Sequence, residues 1–551
     1  MQRTRAGIRN VVLLLVSALA AACGGGSSGG GGSPSQPNQP GQPPPTGGTP
    51  PPPSGTDITT YKYDLARTGQ NLTETSLTTA NVKSSSFGLL RLLTVDGKVD
   101  AQPLYLSGLS LQGGTHNVVF VATENDSVYA FDADSGTALW KASLLKSGES
   151  PTEPVDGCNQ IAPQIGITAT PVIDRSAGAH GTLYVVAMSK DGSANYYQRL
   201  HALDVTTGAE LLGGPVVISA SFPTQGGTMS FDARQYAERA ALLLTNGTLY
   251  TSFTSHCDSP PYSGWVIAFS QSSLAQTAAF NAAPNSGGSG PAIWMAGGGP
   301  AADAAGNVYL LTANGAFETT LDGSGFPSGA DYGNTFLKLS GGSLAVSDYF
   351  TMSNAVTESS NDQDLGSGGI LLLPDLTDAN NATQHLAVGA GKDGNIYVVS
   401  RDAMGKFSAS GNHIWQQLDG VLAGGIWSTP AYFRQSVYFG PVGGSLRSFT
   451  ISGGKLATGS ASATPYPYPG TSPVVSANGT ANGIVWAHEN SNPAVLHAYD
   501  ASDLGHELYN SSQAANGRDH FGAGNKFITP VVADGKVFVG TQNAVAVFGL
   551  L

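Results

Sequence analysis

Apolar and polar residues alternate along this chain in short runs. The runs come in pairs separated by Gly, Asn or Asp, which is the pattern of strands joined by tight turns. Asn117-Val118-Val119-Phe120-Val121-Ala122 is followed by Ser127-Val128-Tyr129-Ala130-Phe131, with Glu124-Asn125-Asp126 between them as a turn. Similar pairs begin at Leu183, Leu249, Val308, Leu386, Val437, Gly483 and Val537, which makes eight. A second mark opens many units: a small or polar residue and a proline precede a short apolar run. It occurs at Gln102-Pro103-Leu104, Thr170-Pro171-Val172, Thr429-Pro430-Ala431, Ser472-Pro473-Val474 and Thr529-Pro530-Val531. Proline fits the first residue of a strand, where no ladder donor is needed. The gap from Pro171 to Pro430 leaves room for three more units, with candidates near Ala240, Gly299 and Ile370, so this count also reaches eight. A third mark closes some units: Ala130 to Trp140 reads A-x-D-x-x-S-G-x-x-x-W. Ala202 to Leu212 repeats it with Leu212 in the Trp place, and Ala498 to Tyr509 with one extra residue. Asp and Gly make the turn, and the aromatic can pack between neighbouring sheets.

A sheet unit repeated eight times, with no helices to cover it, buries its faces on its neighbours, and radial closure does this without long exposed edges. The pattern predicts an all-β chain folded as an eight-bladed β-propeller, with seven blades as the alternative. Residues 57–551 give roughly 62 residues per unit, long for a four-stranded blade, so the excess is expected in loops such as 321–332 and 353–368. Composition agrees: among 551 residues, 73 Gly and 32 Pro interrupt helices and exclude a bundle or coiled coil. A net charge of −13 argues against nucleic acid as a partner, because that binding rests on Lys and Arg neutralising phosphates.

Arg3, Arg5 and Arg9 precede an apolar stretch over residues 11–22, too short to span a bilayer, and small residues then lead to Cys23. Residues 1–22 are read as a secretory signal peptide. The Leu19-Ala20-Ala21-Ala22-Cys23 junction resembles a bacterial lipoprotein signal. That resemblance implies lipidation of Cys23 and, with Gly24 next, attachment to the outer membrane through the lipid anchor. Gly24 to Thr56 contains only Gly, Ser, Pro, Gln, Asn and Thr. This stretch, residues 23–56 with the cysteine, is expected to be a disordered tether reaching about 100 Å at most. The folded domain then spans residues 57–551. The remaining cysteines, Cys158 and Cys257, are an even pair in an exported protein, either a disulfide or two free thiols.

The A-x-D-x-x-S-G-x-x-x-W closure resembles the tryptophan-docking motif of the quinoprotein alcohol dehydrogenase-like (PQQ-repeat) β-propellers. That family includes dehydrogenases that use pyrroloquinoline quinone (PQQ) and Ca²⁺, and non-catalytic lipoprotein scaffolds of outer-membrane assembly. The resemblance implies a set of site residues. Trp294 stands where the enzymes stack the quinone, and Asn314 ends a following strand at the calcium-binding Asn, with Ala313 replacing a Gly. Asn361-Asp362-Gln363-Asp364 sits in the order of the acidic motif that carries the catalytic base, without that motif's Trp. Lys392-Asp393-Gly394-Asn395-Ile396-Tyr397 matches the segment whose cation touches the quinone. Gly424-Gly425-Ile426-Trp427 resembles a second aromatic cofactor-binding segment. Asp258 stands about one residue from the place of a calcium-binding Glu. The adjacent cysteine pair of the enzymes is absent, and a Cys158–Cys257 bridge could cross the funnel mouth instead. His256 is expected to be a loop histidine with local partners.

Chemistry bears on these residues independently. Ca²⁺ takes six to eight oxygens, to which Asp258, Asn314 and Asp364 can contribute. Oxidising an alcohol needs a base, for which Asp362 and Asp364 are candidates, and Lys392 can stabilise a developing oxyanion. Each of these residues also has an ordinary structural use in a turn or between blades. Two functions stand on the sequence. One is a cell-envelope lipoprotein whose propeller binds or scaffolds an envelope protein or a small ligand. The other is a PQQ/Ca²⁺-dependent dehydrogenase acting on an alcohol or sugar.

Overall fold

Each of the eight expected strand pairs forms the middle of an antiparallel sheet, and the sheets follow one another in chain order. The structure is a computed structural model that describes residues 55–551; the signal, Cys23 and the tether up to residue 54 lie outside the described residues. The inner strands of blades 1 to 8 start at Leu104, Val172, Tyr236, Ala301, Leu371, Ala431, Val474 and Val531. Five of these starts directly follow the prolines singled out above. The chain is nearly all β, and the eight sheets close into an eight-bladed propeller. The long loops include one short element the periodicity did not anticipate, the helix Ala355–Ser360 in the 353–368 insertion.

Closure explains why the count is eight. The last sheet takes three strands from the C-terminus, residues 531–533, 536–540 and 544–550, and its outer strand, Phe87–Thr94, from the N-terminal side. Leu93 pairs with Val545 and Leu89 with Phe548. The first and last parts of the domain therefore share one blade, which leaves no open edge in the ring. The fully buried strands carry the core: Val118, Phe120, Ala130, Val185 and Leu203 pack between blades 1 and 2.

The closing motif docks blades. Trp140 donates from Nε1 to the carbonyl of Val205, 3.0 Å away in the next blade. Its indole covers Gly208, where a Cβ would lie 2.7 Å from the ring and where φ is +69°. Only glycine meets both conditions. Tyr509 does the same work near the closure, edge-on to Phe87 at 5.0 Å and donating to Asp519 Oδ2 at 2.8 Å. Leu212 does not: it is 45% exposed, so the second copy of the motif keeps its turn and loses its dock. Trp415, outside the motif copies read from sequence, donates to Gly454 O at 2.6 Å and docks blade 5 on blade 6.

Residues 57–69 cross the end of the axial channel. Lys62 and Arg67 are both fully buried there. Lys62 Nζ donates to the carbonyls of Thr429 (3.0 Å), Pro430 (3.3 Å) and Pro473. Arg67 donates to the carbonyls of Pro300 (2.8 Å), Leu242 (3.2 Å) and Tyr61 (2.8 Å), and to Thr60 Oγ1 (2.7 Å). One segment thus ties blades 4, 6 and 7 where their inner strands begin, and blade 3 within its inner strand at Leu242. Among the described residues, no helix is long and apolar enough to cross a membrane.

Candidate functional site

Seven residues singled out by sequence order come from blades 3 to 6, and the fold brings them to one end of the axis. An open cavity there is lined by Asp258, Trp294, Asp364, Lys392 and Trp427, together with Gln160, Arg239, Ala296, Ser367, Tyr468 and Phe527. Asn314 and Asp362 bond directly to the lining residues.

Local turns aim these groups. Asp258 and Asp362 both have left-handed backbone, at φ +55° and +57°; the Asp258 carboxylate turns back to the preceding strand at Ser255, and the Asp362 carboxylate turns to Asn314 and Lys392. Asp258 Oδ1 accepts from Ser255 Oγ at 2.9 Å and from Trp294 Nε1 at 3.3 Å, which fixes the indole in the cavity wall. Asp364 Oδ1 accepts the Asn314 backbone N–H at 2.6 Å. Asn314 Nδ2 donates to Asp362 Oδ1 at 2.8 Å. The Lys392 ammonium lies between the acids, 2.9 Å from Asp362 Oδ1 and 3.2 Å from Asp364 Oδ2. It also sits 5.9 Å from the Trp427 ring centre.

The electrostatics follow from burial. Asp364 is 4% exposed, and desolvation pushes its carboxyl up to about 6 although Lys392 and the Asn314 N–H oppose that. Burial also works against the Lys392 ammonium, but Asp364 and Asp362 more than compensate and hold it above the usual lysine range. Burial and the Asp258 charge push the Tyr262 phenol well up. The result is a buried acid poised near neutrality beside a permanent cation, the condition a general base requires.

Cys158 and Cys257 form a disulfide, with Cα atoms 5.5 Å apart across a sequence separation of 99. Cys158, Gln160, His256 and Trp294 line a small cavity beside the main one, so the bridge holds the wall behind Trp294. His256 lies in the bend after the strand Thr248–Ser255, as expected of a loop residue. It is buried, a backbone hydrogen bond with Tyr236 acts on it, its Nε2 has no partner among the described residues, and burial lowers its pKa to about 4, so it is neutral.

Residues 63–211 match the family model described as outer membrane protein assembly factor BamB. No curated protein matches the chain. Among solved structures, the quinohemoprotein alcohol dehydrogenase of Comamonas testosteroni is similar over 90% of this chain and 80% of its own, at 14% identity and a TM-score of 0.59. The quinohemoprotein alcohol dehydrogenase ADHIIG of Pseudomonas putida HK5 gives the same figures. A europium-containing methanol dehydrogenase is similar over 90% of this chain and 98% of its own, at 14% identity and a TM-score of 0.55. The chain has the fold of the PQQ-repeat β-propellers.

Within the PQQ-repeat fold, the sequence reading missed three further residues that line the cavity. Arg239 lies in the inner strand of blade 3, Tyr468 follows blade 6 and Phe527 precedes blade 8. Tyr468 is edge-on to Trp427 at 5.8 Å, and Phe527 edge-on to Tyr468 at 6.4 Å. Arg239 had a signal: Glu238-Arg239 interrupts the otherwise apolar run of Tyr236–Thr245. Tyr468 and Phe527 had none, because loop aromatics follow no period.

The donor set can be tested against the quinone and calcium that the resemblance implies. Indole, phenol and phenyl walls with Lys392 and Arg239 among the lining residues fit a flat aromatic ring bearing carboxylates. For a cation, Asp258, Asn314 and Asp364 supply oxygens. The carboxylates already accept from Trp294, Ser255, Lys392 and Asn314 N–H, and no cluster of three acidic, His or Cys groups able to hold a metal occurs among the described residues. The residues therefore fit the quinone, and they fit calcium only where the bound ligand adds oxygens of its own.

Proposed function

We propose that the protein is an exported, envelope-attached quinoprotein whose funnel binds a quinone of the PQQ class and oxidises an alcohol or sugar held against Asp364. The observation that carries the reading is the convergence of Trp294, Asn314, Asp364 and Lys392 on one cavity, with Asp364 buried between an ammonium and a backbone N–H. A bound quinone supplies the two-electron acceptor. Asp364 accepts the hydroxyl proton, and its pKa of about 6 leaves it mostly ionised at neutral pH. Lys392 orients Asp362 and Asp364 and offsets negative charge at the reacting edge. Trp294 and Trp427 give the cavity apolar walls. The signal sequence and the disulfide support export, and a lipid on Cys23 would hold the domain at the outer membrane with Gly24 to Thr56 as its tether.

The test is titration of the purified mature protein with PQQ, with and without Ca²⁺, read by tryptophan fluorescence. Saturable binding that Ca²⁺ strengthens, and that Asn314→Ala and Asp364→Ala abolish, supports the dehydrogenase and calls for a dye-linked screen of alcohols and sugars. Absence of binding at high micromolar PQQ overturns it. The second reading, a binding or scaffold module for an envelope protein, then stands on the match of residues 63–211 to an assembly-factor family model.

A further inference from the structure

A cleft of about 760 Å³ opens between blades 6 and 7, within the size range of small-ligand sites. It lies on the face away from the funnel. Trp427 precedes the inner strand of blade 6, Ala431–Phe433, on the funnel side, and Phe433 ends that strand at the cleft. The lining includes a buried apolar floor of Phe433, Tyr438, Ile451 and Ala501. Tyr438 donates to the Ala501 carbonyl at 2.7 Å, which joins the two blades there. Phe433 packs on Gly483, where a Cβ would collide with the ring. Gly483 has no left-handed backbone, so space rather than conformation requires glycine, and a side chain would push Phe433 out of the floor. Arg434, Gln435, Thr480 and Asn482 are exposed around this floor, and half-buried Asp500 lines it as well.

One turn at the cleft departs from its own repeat. The first two strands of blades 3, 6 and 8 are joined by two-residue turns, Asn246-Gly247, Arg434-Gln435 and Asp534-Gly535. The first residue of each has left-handed backbone, at φ +49°, +55° and +45°. Asn and Asp tolerate that conformation and glycine completes such a turn, whereas Arg434-Gln435 has neither advantage. A local rule broken at a cleft points to side chains held for binding.

We propose that this cleft binds a neutral oligosaccharide. A sugar ring combines an apolar C–H face with hydroxyls that both donate and accept. The Phe433 and Ile451 floor matches the face. The Gln435 and Asn482 amides, the Thr480 hydroxyl, the Arg434 donors and the Asp500 acceptors match the hydroxyls. One cation and one anion balance, so the lining favours neither an acidic nor a basic ligand. The turns that form the rim offer no free strand edge to an extended peptide. The inference does not rest on the reading of the funnel, which is a separate site.

The mature protein is titrated by calorimetry with cellotetraose, maltotetraose and tetra-N-acetylchitotetraose, and the titrations are repeated on Arg434→Gly, Asn482→Ala and Asp364→Ala. At least one tetrasaccharide is expected to saturate in the millimolar range or below. Arg434→Gly should weaken it about 10-fold or more and Asn482→Ala about 3- to 10-fold, while Asp364→Ala leaves it unchanged. Glycine fits left-handed backbone, so Arg434→Gly should keep or raise the urea midpoint, which separates lost binding from lost folding. Three results overturn the proposal: no saturation at millimolar sugar, binding that survives both cleft substitutions, or binding that Asp364→Ala abolishes, which would place the sugar in the funnel.

Discussion

Two regions on the propeller axis handle buried cations in opposite ways. At one end, Lys62 and Arg67 are fully buried, and carbonyls from several blades accept their protons. In the funnel, Arg239 is nearly as buried and has no such acceptors. Desolvation is similar in both places, so the difference lies in what the structure supplies in return. The plug saturates its cations and uses them to fasten the ring. The funnel gives its cation no carbonyl acceptor among the described residues and sets only the charges of Asp100 and Glu124 against its burial.

The sharpest way to break this contrast is at the plug. Arg67→Met leaves the carbonyls of Pro300, Leu242 and Tyr61 without their donor in a dry interior. Removing one partner from such a buried network is expected to cost about 3–5 kcal/mol, read as a fall in the urea midpoint at unchanged slope. An unchanged midpoint would mean that water reaches these carbonyls and that the plug is not a fastener. The disulfide comes next. Its loop of 99 residues is long, and reduction is expected to cost about 4 kcal/mol by constraining the unfolded chain less. Because the bridge backs the Trp294 wall, reduction below the unfolding transition should also weaken ligand binding, which titration with and without reductant would detect.

The fold was legible in the sequence because each blade repeats one pattern. Proline at the inner strand, paired apolar runs and the Asp–Gly turn all survive as short-range signals; they gave the blade number and the five proline-marked strand starts, while blade 3 starts at Tyr236, four residues before the expected Ala240. Trp140 was readable for the same reason, whereas Leu212 kept the motif spacing but lost the aromatic and ended exposed. The acidic wall was legible as an ordered series through Trp294, Asn314, Asp362, Asp364 and Lys392. The rest of the cavity wall was not, since Tyr468 and Phe527 sit in loops and meet Arg239 only through ring closure. Lys62 and Arg67 were also invisible: a cation in a loop reads as solvated, and only the assembled channel buries it.

A smaller effect tests whether saturation rather than burial is what matters. His497 is buried, yet Glu507 Oε1 lies 2.7 Å from Nδ1 and Glu489 Oε2 3.3 Å from Nε2. Burial alone would lower its pKa, but the two carboxylates outweigh it and raise the pKa above the usual histidine value. The folded state therefore holds this proton more tightly than the unfolded chain does. Its stabilisation is complete below the unfolded pKa, about 6.5, and is lost as pH rises through the higher folded value. His497→Gln should flatten that loss, with a difference on the order of 1–3 kcal/mol at pH 5.5 and much less at pH 8.5, measured by denaturant unfolding at both pH values.

The least destabilising change is expected where a buried charge is replaced outright. Arg239→Met removes a guanidinium that has no hydrogen bond to lose and keeps a chain able to pack on Phe527. Replacing an uncompensated buried charge by an apolar group of similar size relieves desolvation, so the ligand-free protein should be unchanged or more stable by about 1–3 kcal/mol. This is opposite in sign to Arg67→Met, although both substitutions delete an arginine that is almost wholly buried. A loss comparable to that at Arg67 would show that Arg239 is held by partners such as Asp100 in solution, and the distinction between plug and funnel would fail.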